Sequence, residues 1–596
     1  MSMVSRSRFA WSVPVAVCAF LLMQPVQNRN AQAAAVAPAA RETLRVGMWT
    51  LWHDRELKLS PAAHGGNISL RTCAQCGILT SANSVVVRSS GDFVVVDSAG
   101  KAGPAHYVAL AGGVTLTAHN ETVTLRYPLT ITSHAGALVI AVTLPVENYA
   151  ERVVASESGP GDTLESLKAL AVVVRSFAMH EAHGHGDYDV CDSTHCQLLH
   201  WGGSGNRQRA AHAATLSAAG ETLWFRGQRA LAYFNKDCGG RTASPKEIWP
   251  RAQAVAYLPS LPDRYCAASA GREWASQITR ADLSAALASH GVARPGWQHL
   301  AVTRRGESGR AIVLRLDNAD VSAEDFRLAI GESLGWNQLP STWFEVSQQG
   351  DHFLFHGRGW GHGVGLCQKG AAAMAAQNQS AAEILAQYFP GARAADELTG
   401  REWLSFARSG IVLQSLDTTD AAYLPDLERA RAEASRRSGL NMPKAITVRA
   451  WASTPVFRSS TGAPGWVAAF TEGDWIGTQP LRILASRHLL DTTMRHEFLH
   501  ALVEHQAGPS APLWLREGLV EMWAEPDGKV ESLPAIRIDA LDASLTRAAT
   551  EPDSAAAHRA AASYAGRLLA RYGRERVLDW LRSGVPADVV SALGQR

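Results

Sequence analysis

Leu138-Val139-Ile140-Ala141-Val142-Thr143-Leu144-Pro145-Val146-Glu147-Asn148-Tyr149-Ala150-Glu151-Arg152-Val153-Val154-Ala155-Ser156-Glu157 is where this chain changes texture. Through Val142 it is a short β-branched run of the kind that forms a strand. From Pro145 the apolar residues Val146, Tyr149, Ala150, Val153 and Val154 recur at three and four, the period of a helix with one buried face. Glu157 falls one turn further on that same side.

Working outward, residues 44 to about 145 read as β. Val85-Val86-Val87, Phe93-Val94-Val95-Val96, Tyr107-Val108-Ala109-Leu110 and Thr122-Val123-Thr124-Leu125 are separated by Gly, Asn and Ser. A second helix is expected with Asp162 as N-cap and Glu165 closing a capping box, burying Leu167, Leu170, Ala171, Val174 and Phe177. Residues 220–350 are mixed, 353–366 are rich in Gly and aromatics, and an Ala-rich helix starts at Gly370. The pattern resets around 392–408, the expected domain boundary. Beyond it come a polar helix near 424–438, strands near 445–450 and 481–485, and a helix at 490–506. The fold class is α+β and multidomain.

At 596 residues the chain is too long for one core. A formal charge of +2 gives no electrostatic reason to expect nucleic acid. Arg6 and Arg8, the apolar stretch Phe9–Met23 and Ala31-Gln32-Ala33 have the layout of a signal peptide over 1–33. No later run is apolar and long enough to span a bilayer, so the mature chain is expected in the periplasm, the cell envelope or outside the cell. Of eight cysteines, Cys18 lies in the leader, leaving an odd number in an oxidising compartment. Cys238 and Cys266 are disulfide candidates. Cys73-Ala74-Gln75-Cys76 suggests a local disulfide, since no thioredoxin-like pattern surrounds it.

His496-Glu497-Phe498-Leu499-His500 carries the most specific chemistry. Histidines four apart on a helix point about 40° apart around its axis, so both can hold one metal ion while Glu497 takes a proton from water. Trp514-Leu515-Arg516-Glu517-Gly518-Leu519 offers a carboxylate from a second helix, which completes a three-ligand zinc site with an open position.

A second set of motifs runs through residues 44–395: Leu144 to Tyr149, Val153 to Glu157, Leu167 to Arg175, Tyr188-Asp189-Val190-Cys191-Asp192-Ser193-Thr194-His195-Cys196-Gln197, Cys238-Gly239-Gly240-Arg241-Thr242 and Gly359-Trp360-Gly361-His362-Gly363-Val364-Gly365-Leu366-Cys367-Gln368. This order resembles the stage II sporulation protein D (SpoIID/LytB) family. The resemblance implies a helical glycan-cleaving core that binds denuded peptidoglycan strands and acts as a lytic transglycosylase, with Glu157 as the acid. Such a reaction needs a single proton donor, because the sugar's own 6-hydroxyl displaces the leaving group, unlike two-carboxylate glycosidases. A carboxyl at the end of an apolar helix face is partly desolvated, which suits a proton donor. Ser158-Gly159 stands where the family commonly has Met-Pro. Arg175 and His362 are candidates to line the site. Cys191, His195 and Cys196 resemble a zinc cluster that some members carry, with His185 as fourth ligand; a Cys191–Cys196 disulfide or buried thiols are the other readings. The glycines at 359–365 lack a P-loop ending and point instead to tight turns or close backbone approach to a glycan.

Residues 410–585 resemble the peptidase MA-like gluzincins, an α+β zincin-like domain. That resemblance assigns His496, His500 and Glu517 as zinc ligands and Glu497 as general base; Glu521 is the other candidate ligand, and Tyr564 a candidate oxyanion donor. The chain is therefore expected to be an exported wall enzyme, with peptidoglycan glycan strands and a peptide as substrates. Two alternatives stay open: a non-catalytic adaptor that enhances a cell-wall amidase, or a peptidase that the glycan-binding region only addresses to the wall.

Overall fold

Alternating burial along the β-branched runs builds two sheets that pack face to face. Val85 and Val87 are buried while Val86 between them is half-exposed, and Val108 and Leu110 repeat the pattern. One sheet has seven strands in the order Val190–Cys191, Thr43–Met48, Ala137–Pro145, Leu129–His134, Tyr107–Leu110, Ile68–Arg71, Ile78–Ala82; the other has six, with Glu56–Pro61 and Val85–Ser90 at its centre. Leu57, Leu59, Val87 and Val94 from the second meet Val46, Ile131 and Ile140 from the first in one core. This computed structural model describes residues 43–62, 66–72, 76–98, 101–181, 185–203, 205–268, 273–524, 536–547 and 550–594. The leader at 1–33 and Cys73 lie outside them, and Cys76 is disulfide-bonded.

Ala137–Pro145 feeds directly into the helix Val146–Glu157, whose buried residues are Val146, Tyr149, Ala150, Val153 and Val154. The helix stops at Glu157 because Ser158 is extended (ψ 143°). The next helix, Leu164–Glu181, begins later than the capping-box pattern places it. Asp162 accepts from the Gly159 N–H at 2.8 Å, tying the turn, while Ser166 accepts from the Thr163 N–H at 3.0 Å. Glu165 instead accepts from the Ala381 N–H at 2.7 Å.

Residues 273–358 add two three-stranded sheets with their own core around Phe326, Phe353 and Phe355. The chain then returns: Leu366–Cys367 pairs in parallel with Phe234–Asn235, and Arg393–Asp396 pairs with Glu221–Phe225. Leu404–Arg408 opens a different, five-stranded sheet with Ile411–Ser415, Ile446–Ala450, Trp475–Thr478 and the edge strand Ala469–Glu472. Helices Leu424–Ser438, Leu490–Gln506, Leu513–Ala524 and Glu551–Ser583 share that part's core. The strand expected at 481–485 is a helix, Leu481–Ser486. Its buried Leu481 and Leu484 are three apart, a spacing that a short apolar run leaves ambiguous.

The sheets on either side of residue 400 are in contact. Arg449, 2% exposed, donates to the Ala219 carbonyl at 3.0 Å, pairs with the Glu221 carboxylate and lies 4.5 Å from the Trp403 ring centre. Leu216 and Ala219 share a small core with Trp451, Phe457 and Trp475. Among the described residues no helix is long and apolar enough to cross a membrane.

Candidate functional site

Glu157 stands where the motifs of the first region meet. The Gln368 side-chain amide donates to the Glu157 carbonyl at 3.2 Å. The Leu198 backbone N–H, the Gln368 amide and the Lys236 cation act on its carboxyl group and stabilise the ionised form. Burial opposes them and is the largest effect, pushing the group up to about 7. Lys236 is exposed and lies 4.4 Å from the ring centre of Trp360. A half-neutral carboxyl beside a cation is suited to give up a proton. Gln368, Lys236 and the Leu198 N–H were not among the residues expected from the sequence; Gln368 and Leu198 end or follow quoted motifs, which is the only trace they leave.

Two residues expected to line the site are engaged by the protein itself. Arg175 is fully buried: its guanidinium is bidentate to Glu147 (2.7–2.9 Å) and donates to the carbonyls of Thr215 at 2.8 Å and Glu221 at 3.2 Å. Those bonds commit it to holding the helix start, so it does not line the site. His362 packs against Trp249 and Tyr233. Its Nδ1 accepts from the Val364 N–H at 3.0 Å and its ring also bonds the backbone at Phe234. Desolvation lowers it to about 4, so it stays neutral and occupied. The glycines around it serve protein packing rather than glycan approach. A Cβ on Gly365 (φ 73°) would meet the Tyr233 carbonyl oxygen, and one on Gly363 (φ 81°) the Arg310 guanidinium.

His185, Cys191, His195 and Cys196 bring their four ligand atoms within 4.8 Å of one another. His185 Nε2 is 3.1 Å from Cys196 Sγ, and His195 Nδ1 is 3.7–3.8 Å from both sulfurs. Neither Cys191 nor Cys196 is in a disulfide, which corrects that reading. Cys238 and Cys266 are not bonded to each other either, which corrects their expected pairing. An S2N2 set of this compactness could hold one tetrahedral zinc ion. The loop is pinned by Asp192, which accepts from the Trp49 N–H at 2.6 Å, the Thr50 hydroxyl at 2.7 Å and the Trp201 indole at 2.9 Å. It leads straight to Leu198.

In the C-terminal part, the helix Leu490–Gln506 places His496 Nε2 and His500 Nε2 3.0 Å apart. Burial lowers both histidines to about 4, leaving neutral rings with lone pairs available. Glu517 arrives from Leu513–Ala524, which lies close to Glu551–Ser583 because Gly518 leaves room: a Cβ there would sit 2.3 Å from the Ala561 carbonyl oxygen. Glu517 Oε2 is buried, accepts no hydrogen bond, and lies 3.5 Å from His500 Nε2 and 3.6 Å from His558 Nδ1. His558, which sequence reasoning missed, also bonds Glu521 at 3.0 Å. Among the described residues, the groups whose ligand atoms all lie within 4.8 Å of one another are two, and His496–His500–Glu517 is not one of them. The two converging nitrogens and the Glu517 carboxylate oxygen could serve as donors to a cation. Glu497 accepts from the Thr471 hydroxyl at 2.7 Å and is pushed up to about 8 by burial. His496, Glu497 and Glu521 line a cleft of about 280 Å³ with Ala468 and Ala469 on its wall. Tyr564 turns elsewhere: its hydroxyl donates to the Ile536 carbonyl at 3.2 Å, so it offers no oxyanion donor.

Residues 134–225 match the family described as Stage II sporulation protein (SpoIID), and residues 269–365 match a domain of unknown function, DUF8618. The second match falls inside the stretch 44–395 that the sequence alone presents as one region. An uncharacterized protein of Brachyspira hyodysenteriae is 28% identical over 257 residues, 43% of this chain and 67% of that protein. Stage II sporulation protein D of Bacillus subtilis is 26% identical over 280 residues, 44% of this chain and 78% of that protein. Its counterpart in Bacillus amyloliquefaciens is 25% identical over 268 residues, covering 42% and 73%. The zincin reading of residues 410–585 rests on the motifs at 496–500 and 514–519 and on the geometry of their side chains. Glu157, the cysteine–histidine cluster and the loop that joins them all fall within residues 134–225, the stretch that is similar to the SpoIID family.

Proposed function

We propose that the protein is an exported cell-wall enzyme that cleaves peptidoglycan glycan strands by lytic transglycosylation, with Glu157 as the catalytic acid. The observation that carries this reading is a buried carboxyl held near pH 7 between Lys236, Gln368 and the Leu198 N–H. Glu157 gives its proton to the glycosidic oxygen as the C1–O bond breaks. The sugar's 6-hydroxyl oxygen bonds to C1, and its proton returns to the carboxylate. The product is a 1,6-anhydro end, and no water is consumed. His185, Cys191, His195 and Cys196 would hold a structural zinc ion that keeps the Leu198 loop in place. Incubation of the purified protein with peptide-free glycan tests the reading: anhydro ends are expected from wild type and lost in Glu157→Gln. A wild type that binds the strands without making such ends would instead be an adaptor, of the kind that enhances an amidase.

A second activity is favoured by the converging Nε2 atoms of His496 and His500. His496, His500 and Glu517 would hold a zinc ion, which polarises a peptide carbonyl and a water molecule when bound. Glu497 would take and return the proton, and the Thr471 hydroxyl donates to its carboxyl group at 2.7 Å. Ala469–Glu472 is an edge strand beside that cleft, so its unpaired backbone groups suit an extended peptide. Digestion of casein or cross-bridge peptides, lost in Glu497→Ala, is the expected result. A C-terminal half that takes up no zinc would remove the peptidase reading.

A further inference from the structure

Cys238, Asp263, Cys266 and Cys367 are brought together from three separate segments, and their ligand atoms all lie within 4.8 Å of one another. All three thiols are free and, like Asp263, buried to at least 99%. Asp263 and Cys266 come from the turn and helix around Arg264–Ala268, Cys238 from the loop after Phe234–Asn235, and Cys367 from the N-cap of the helix Gln368–Ala376. One disulfide would join two sulfurs and strand the third in a dry interior. The spacing suits a single tetrahedral ion: with zinc–sulfur bonds near 2.3 Å, ligand sulfurs sit roughly 3.8 Å apart.

The surroundings resemble those of thiolate ligands. Cys367 Sγ accepts from the Cys238 N–H at 3.2 Å and the Gly370 N–H at 3.4 Å. Asp263 Oδ1 accepts from the Tyr265 and Cys266 N–H groups at 3.1 and 2.9 Å, and Oδ2 from the Tyr388 hydroxyl at 2.8 Å. Those bonds fix the carboxylate's orientation toward Cys238 Sγ, 3.2 Å away. Arg310 donates to the Cys238 carbonyl at 2.9 Å, a buried positive charge beside a donor set that is net negative even with a divalent ion. No residue here is shared with the His185–Cys191–His195–Cys196 cluster.

We propose that Cys238, Asp263, Cys266 and Cys367 form a second, closed zinc site that ties Gln368, the neighbour of Cys367, into position beneath Glu157. The ion would join the loop of Lys236, the Arg264–Ala268 helix and the start of the Gln368–Ala376 helix.

Metal content of the full-length protein, purified with zinc under reducing conditions, tests this without any substrate. Cys266→Ser and Cys367→Ser are each expected to lose one zinc equivalent relative to wild type, and Cys191→Ser/Cys266→Ser to lose two. The complementary variant Cys191→Ser/His500→Ala, which leaves these four residues intact, should retain one zinc per chain. Its cobalt-substituted form should show intense thiolate-to-cobalt charge transfer, weakened by neither chelation of surface ions nor moderate salt. Unchanged zinc in Cys266→Ser and Cys367→Ser, or no zinc in Cys191→Ser/His500→Ala, would overturn the assignment. So would a disulfide among Cys238, Cys266 and Cys367 in zinc-replete wild type, read by mass spectrometry of unreduced peptides. If glycan cleavage fails while zinc is retained, the function proposed above is at fault and this site is not.

Discussion

The side-chain amide of Gln368 donates to the main-chain carbonyl of Glu157 at 3.2 Å, across 211 residues of sequence. Gln368 also lowers the affinity of the Glu157 carboxyl for its proton. Replacing it with Ala therefore raises the Glu157 pKa above 7 and loosens the carboxyl's position. The expected outcome is a loss of roughly 10- to 100-fold in anhydro-end formation, with the alkaline limb of the pH–rate profile displaced upward. A purely structural role for Gln368 would lower activity without moving that limb, so the profile separates the two.

The same carboxyl links activity to stability. Its folded-state pKa of about 7 lies above the ordinary value of 4.5, so the folded protein holds this proton more tightly than the unfolded chain. That contribution to stability is fully present below pH 4.5 and is lost as pH rises through 7. Glu157→Gln keeps the shape and removes the ionisation. The variant should match wild type near pH 4 and exceed it by up to about 3 kcal/mol above pH 8. Urea unfolding at the two pH values checks this. Equal stability at both would mean that the carboxyl is solvated and unsuited to its proposed role.

The helices Val146–Glu157 and Leu490–Gln506 are legible in the sequence because each repeats apolar residues at helical spacing. The same holds for the ligand set His185, Cys191, His195 and Cys196, whose members lie within one short loop. What escapes is contact between distant segments. Gln368, Lys236 and His558 acquire their roles only when strands and helices far apart in the chain pack together, and no local period records that. Arg175 fails in the opposite direction. Its motif position is as noticeable as that of Glu157, but a buried residue that satisfies backbone carbonyls reads the same in sequence as one that meets a substrate. Leu481–Ser486 misleads for a simpler reason, since six residues with apolar Leu481, Ile483 and Leu484 fit either a strand or a helix.

Arg175 makes the distinction measurable. Its buried guanidinium pairs with Glu147, which also accepts from the Gly220 N–H at 3.0 Å. Arg175→Met leaves the Glu147 carboxylate without its main partner and is expected to destabilise the fold by about 3–5 kcal/mol. Thermal unfolding gives the readout. At a temperature where the variant is still folded, anhydro-end formation per folded molecule should stay within about twofold of wild type. A far larger loss in correctly folded protein would return Arg175 to the site.

Arg449 tests whether the two catalytic claims share one mechanical unit. Its guanidinium reaches out of the strand Ile446–Ala450 to the Ala219 carbonyl and the Glu221 carboxylate, while the Glu221 carbonyl accepts from Arg175. A continuous polar chain therefore runs from the sheet beside the His496 helix to the start of the Glu157 helix. Arg449→Ala breaks it and leaves the Glu221 carboxylate without its ion-pair partner and Trp403 without the guanidinium over its ring. Removal of one partner from such a buried pair costs about 3–5 kcal/mol, and Glu221→Gln in the same chain should recover part of that loss, because the unpaired charge goes with it. Calorimetry is expected to show one transition in wild type and two in Arg449→Ala. Separation of the transitions matters more than the size of the shift: a variant that is merely less stable, and still unfolds in one step, would mean that the apolar contacts around Leu216 and Ala219 couple the halves and that the ion pair only orients them.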